Sequence, residues 1–294
     1  MRYTIKHRTW YAYAEPAPVC HNVLHLAPRS TAQQKCAKFR LQIAPEPAFL
    51  ARRTDWFGNL TDYFSIEGSH NGLEVAAECL VEVTPPRPLP AEVPAWEAVA
   101  RMATPEASRD DLSIYQLTLR SMRVRPSAQL REYAEASFSP GRPVVDAIID
   151  LMGRIHRDFE FDPKATTVHT PLEELMALRR GVCQDFAHLA IGCLRSMGLP
   201  CRYVSGYLRT TPPPGKPRLV GADASHAWAS AYCGPLGWVD FDPTNNTLIG
   251  ASHVTIAWGR DYSDVCPIQG VFVGGGEHSM GVSVDVIPAD EKAA

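Results

Sequence analysis

The sequence predicts an α+β fold on three observations: a strand-like stretch from Arg2 to about Thr84, a proline-rich break after it, and a helical period beyond the break that gives way to strands after Gly198. In the first stretch, short runs rich in Val, Ile, Tyr, Trp and Phe are broken by Pro, Gly and Asn, which reads as a β-sandwich or meander. YTIKHRTWYAY, AKFRLQIAP, GNLTDYFSIEG and GLEVAAECLVEVTP are the expected strands, with turns at Gly58-Asn59 and Asn71-Gly72. His21 and His25 are expected near a strand end, in solvated or core positions. The segment TPPRPLPAEVPAW holds five Pro. It cannot continue a sheet or begin a long helix, so residues 85–96 are the expected linker behind a β-rich N-terminal domain at 1–84.

Helical spacing follows. SAQLREYAEASF and PVVDAIIDLMGRIHRDFEF read as packing helices. The second places Val144, Val145, Ile148, Ile149, Met152, Ile155 and Phe159 on one face and has Pro143 at its first position. His156 within it suits a surface or core role. Thr170 to Glu174 can start a short helix, with Thr as the cap and acids near the positive end, and Gly181 should break it. Arg179 and Arg180 would then offset that helix's dipole more readily than assist a neighbouring thiolate.

In RGVCQDFAHLAIGCL the apolar residues Phe186, Leu189, Ala190, Cys193, Leu194 and Met197 recur at helical steps, and Gly198 supplies the stop. Cys183 falls in the first turn. There the N–H groups lack intrahelical partners and the dipole favours a thiolate, so Cys183 is a candidate nucleophile whose helix could also cradle an oxyanion. A buried structural Cys is the alternative for this residue type taken alone.

LPCRYVSGYLR reads as a strand and TPPPGKPR as a surface loop. HAWASAY then alternates, with His226, Trp228, Ser230 and Tyr232 on one face and three Ala on the other, a small face able to lie against a helix. GWVDFDP alternates again, and Cys233-Gly234-Pro235-Leu236 joins the two as a hairpin. His226 and an Asp near the end of the second strand can therefore become neighbours. Asp242, before Pro243, is the stronger candidate and Asp240 the weaker. Cys183, His226 and Asp242 would make a triad in which His moves the proton and Asp fixes the imidazole tautomer.

Composition removes other classes. The 294 residues carry a net charge of −3 with both signs mixed, and no basic run is interleaved with aromatics, which disfavours nucleic acid and anionic membranes as partners. No signal-like segment or uncharged stretch of the ~18 residues a bilayer needs is present, so a cytoplasmic location is expected. The eight Cys form no CxxC pair, and no HExxH spacing occurs; neither a metal site nor a cofactor is expected, and the thiols should be reduced.

G-V-C-x-D-F-A, S-H-A-W and G-W-V-D-F-D-P-T-N resemble the transglutaminase-like superfamily, in particular its bacterial branch with a β-rich N-terminal region. The resemblance is close over 143–246 and looser over DWFGN and DYF. It implies a papain-like core, an active-site helix packed on an antiparallel sheet, within a unit at 97–294 that also holds a helical segment and C-terminal strands. It also implies the triad Cys183, His226 and Asp242, with Gln184, Trp228 and Trp238 contacting substrate or backing the triad. Calcium is not expected. The implied activity is that of a cysteine hydrolase or acyltransferase on a peptide or protein, working through a thioester, with hydrolysis preferred. A peptide-binding scaffold that kept the fold without turnover is the alternative. Arg260, Asp261 and Tyr262 resemble a segment of the same branch and have no assigned role.

Overall fold

The structure is a computed structural model that describes residues 1–86, 88–107, 112–210 and 224–289. The loop expected at 211–218 lies outside the described residues. The chain opens with β1 (Arg2–Leu24), β2 (Gln34–Ala44), β3 (Phe49–Thr54) and β4 (Leu60–Val83). β1 and β4 pair antiparallel over most of their length, and β2 and β3 share the other edge of β4. Gly58-Asn59 does turn: Gly58 takes φ +74, and the Asp55 carboxylate accepts from the backbone N–H of Phe57 and Asn59.

Asn71-Gly72 does not turn. It runs straight through β4, because β1 pairs with β4 on both sides of it, Tyr11 with Leu73 and Ala17 with His70. The irregularity falls instead on β1, between Ala12 and Val19. Gly72 is still required there, since a Cβ would stand 2.8 Å from the Tyr11 carbonyl oxygen.

The middle of the chain supplies α1 (Trp96–Met102), α2 (Ala128–Glu135), α3 (Val144–Asp158), β5 (Glu160–Phe161), α4 (Leu172–Leu178), β6 (Arg180–Gly181) and α5 (Cys183–Ser196). Pro143 sits one residue before α3 rather than inside it. The buried stripe of α3 runs through Val144, Ile148, Leu151 and Ile155, which turns Ile149 outward at 39% exposure. α4 ends at Arg179 in the left-handed region (φ +56), not at Gly181. Gly181 lies in β6, which pairs in parallel with β5.

β7 (Cys201–Leu208), β8 (Ala224–Tyr232), β9 (Trp238–Asp242), β10 (Thr247–Leu248) and β11 (His253–Gly259) form a five-stranded antiparallel sheet in the order β10-β9-β8-β7-β11. Ala227, Ala229 and Ala231 are buried with Ala187, Ala190 and Ile191 of α5 in one core. This is the expected close approach of helix to sheet, and filling it with a larger side chain would overpack the layer at a cost of about 1–3 kcal/mol.

β12 (Ile268–Val273) and β13 (His278–Pro288) return to the N-terminal strands and pair with the two halves of β1. Tyr3, Ile5, Val81 and Val284 consequently share a core with Phe186, Leu189 and Tyr203. The two sheets are also tied together by side-chain amides. Gln34 and Asn59 each donate to a carbonyl and accept from an N–H of β11, at Thr255 and Trp258, with distances of 2.7–3.0 Å. Both mimic a neighbouring strand, which satisfies an edge that would otherwise be buried with open hydrogen bonds.

Candidate active site

Cys183 is the first residue of α5, and the local sequence explains why the chain is held there. Asp185 reaches back so that its Oδ2 accepts the Val182 N–H at 2.9 Å and the Thr166 hydroxyl at 2.6 Å. Gly181 is needed beneath that contact, because a Cβ would come within 2.7 Å of the same oxygen. Asp185 is buried, and burial raises its pKa above the ordinary value in spite of these donors. The thiol of Cys183 is half-buried, and its own N–H belongs to the first turn, where no helical acceptor exists.

His226 lies on β8, and its Nε2 is 2.7 Å from Oδ2 of Asp242, the last residue of β9. Asp242 is fully buried. Its Oδ1 accepts the backbone N–H groups of Thr244 (2.9 Å) and Asn245 (3.2 Å), while Oδ2 also accepts Nδ2 of Asn245 (2.6 Å). Burial alone would raise this carboxyl's pKa. The bonds from His226 and His253 outweigh burial and hold it well below the usual carboxylate range. Burial likewise works against an imidazolium at His226, but Asp242 and the adjacent Cys183 sulfur override it and push His226 up to about 10. With Nε2 committed to Asp242, Nδ1 is the nitrogen left for the thiol. Asp240 takes no part, since its Oδ2 accepts the indole N–H of Trp228 at 3.3 Å.

Cys183, Gln184 and His226 line one cleft of about 280 Å³, walled on the far side by His7 and Tyr11 of β1 and by Met280 and Val282 of β13. The side-chain amide of Gln184 is 3.4 Å from the Val168 carbonyl. Trp228 and Trp238 are not among the cleft's lining residues. Trp228 is completely buried beneath the sheet, and Trp238 packs on Tyr232 and under the Arg202 guanidinium. Arg179 stacks on Phe159 and Arg180 pairs with Glu160. Of the unassigned trio, Arg260 is clamped by Asp264 and Asp261 accepts the Arg123 N–H at 2.9 Å. Tyr262 lines the cleft and donates its N–H to Nε2 of His188.

Sequence reasoning missed His253. From β11 its Nε2 reaches Oδ2 of Asp242 at 3.3 Å, and its ring stands edge-on to Trp228. Gly206 makes room for Trp228 in this contact, since a Cβ there would meet the indole at 2.4 Å. The ligand atoms of His226, Asp242 and His253 lie within 4.8 Å of one another and could hold a metal ion, though an ion there would displace the His226 N–H from Asp242.

The model of the bacterial transglutaminase-like N-terminal region matches residues 3–82, and that of the transglutaminase-like superfamily matches residues 131–243. An uncharacterised protein of Mycobacterium tuberculosis is 40% identical over 301 residues, 99% of this chain and 94% of its own length. The chain belongs to the transglutaminase-like superfamily. An uncharacterised Mycobacterium leprae relative is 32% identical over 97% of this chain and 98% of its own. The crystal structure of a candidate cysteine protease from Cytophaga hutchinsonii shares the fold of this transglutaminase-like chain, with a TM-score of 0.75 at 20% identity over 99% of this chain and 92% of that one. A Pseudomonas aeruginosa protein-glutamine gamma-glutamyltransferase is 29% identical over 41% of this chain and 18% of its own length. Among the described residues no helix is long and apolar enough to cross a membrane.

Proposed function

We propose that this transglutaminase-like protein is a thiol-dependent hydrolase of peptide or side-chain amides, with acyl transfer to an amine as the competing outcome at the same site. The observation that carries the reading is a buried carboxylate 2.7 Å from an imidazole that lines one cleft together with a thiol at a helix N-terminus. His226, with its raised affinity for protons, takes the thiol proton of Cys183, and the sulfur bonds to the carbonyl carbon. Collapse of the tetrahedral intermediate breaks the C–N bond, and His226 gives its proton to the departing amine. Asp242 holds the imidazole in the one tautomer that can do both. Water reaching the thioester regenerates the thiol, whereas an amine in its place completes a transfer. A reducing compartment such as the cytoplasm suits a chain whose eight thiols are all unpaired.

Release of dye from fluorescein-labelled casein, set beside incorporation of dansylcadaverine into dimethylated casein, tests the reading. Casein cleavage exceeding amine incorporation is expected, with both lost in Cys183→Ala. Full activity in that variant would overturn the proposal, and amine incorporation alone would make the chain a transferase.

A further inference from the structure

We propose that the phenol of Tyr203 is the second donor to the oxyanion formed at Cys183, an inference that rests on the thiol-acylation reading above. Tyr203 lies on β7, paired with Ala229 of β8 and Gly259 of β11. Its ring is held between His188 of α5, with centroids 5.0 Å apart, and the edge-on ring of Tyr262 at 6.2 Å. The residue is 2% exposed, yet it lines the same cleft as Cys183.

Among the described residues the Tyr203 hydroxyl makes no hydrogen bond, unlike its neighbours. The Tyr207 hydroxyl meets Nδ1 of His7 at 2.8 Å, and the Tyr262 hydroxyl accepts from the Cys266 thiol at 3.2 Å. The hydroxyl opens onto the cleft that Cys183 lines, so it is a donor free for an acceptor that arrives with the substrate. Burial, and next the nearby Cys183 sulfur, push this phenol well above its ordinary value, so it keeps its proton at any working pH. When sulfur bonds to the carbonyl carbon, the C=O π pair moves onto oxygen. The first-turn N–H of Cys183 and the O–H of Tyr203 then share that charge. As the C–N bond breaks, the pair returns to the carbonyl and the amine leaves with the proton from His226.

Two probes of the same sulfur separate this role from general damage. p-Nitrophenyl acetate acylates a thiol through an oxyanion, whereas iodoacetamide alkylates it with no oxyanion at all. In Tyr203→Phe, acylation of Cys183 is expected to slow by about 10²–10³-fold, as for other lost oxyanion donors, while alkylation stays within about twofold of the unaltered protein. Unchanged acylation would overturn the assignment. A parallel fall in both rates would also overturn it, by showing that Tyr203 acts on the thiol or on folding. If Cys183 of the unaltered protein is acylated no faster than its other thiols, the triad reading itself fails and takes this inference with it.

Discussion

Replacing Asp242 by Asn changes one atom at the centre of the hydrogen-bond network, and the network dictates the consequence. Oδ1 is fixed on two backbone N–H groups, those of Thr244 and Asn245, so the carbonyl oxygen of an Asn must stay there. Its NH2 then stands where Oδ2 met His226 at 2.7 Å, with donors from Asn245 and His253 facing the same point. His226 can relieve the clash only by moving its proton to Nδ1, the nitrogen that should receive one from Cys183. Loss of a charge-assisted bond, about 1.5–3 kcal/mol, would by itself slow the reaction by roughly 10- to 150-fold. The wrong tautomer raises the expected loss in kcat to about 10⁴-fold. KM should be almost unchanged, because Asp242 is fully buried and cannot touch substrate. Steady-state cleavage of fluorescein-labelled casein measures both constants. An Asp242→Asn protein that retains a tenth of the original kcat would show that Asp242 does not set the tautomer of His226.

Stability should follow the titration of the same pair. His226 is raised from 6.5 to about 10 in the folded chain, so its contribution is complete below pH 6.5 and is lost as pH rises through 10; Asp242, held low, contributes above the ordinary carboxylate range and loses its share in acid. Urea denaturation should therefore show the widest gap between the unaltered protein and His226→Gln near pH 5, shrinking steadily between pH 6.5 and 10; a gap that grows over that interval would contradict the assignment. His253→Phe removes a long hydrogen bond to the Asp242 carboxylate and should lower kcat about two- to tenfold, with iodoacetamide labelling of Cys183 preserved. Gly206→Ala would drive a methyl into the Val254 carbonyl at 2.3 Å and into Trp228, and thermal unfolding should register a loss of about 1–3 kcal/mol or more.

The three residues of the proposed triad were legible because each carries a local mark: a Cys just inside an amphipathic helix, a His on a strand whose other face is all Ala, and an Asp at a strand end before Pro. The contributions of Tyr203 and His253 left no such mark. Tyr203 sits in a strand that reads only as apolar, and its open hydroxyl is a property of what surrounds it in space. His253 comes from β11, and its bond to β9 depends on the strand order rather than on any local spacing. The misread turn at Asn71-Gly72 has a related cause. Turn propensity is local, but the pairing with β1 that keeps those residues extended is not. The closure of β12 and β13 onto β1 was hidden for the same reason, since nothing at residues 268–288 names a partner some 250 residues earlier.

If the sulfur of Cys183 becomes covalently acylated, mass spectrometry of an acid-quenched mixture with p-nitrophenyl acetate will locate the acyl group. An acetyl group is expected on the peptide containing Cys183, formed ahead of any on the seven other cysteines and strongly diminished in His226→Gln. An acetyl group appearing first on Cys266, the other thiol of the cleft, or appearing on Cys183 at the same rate with or without His226, would contradict it.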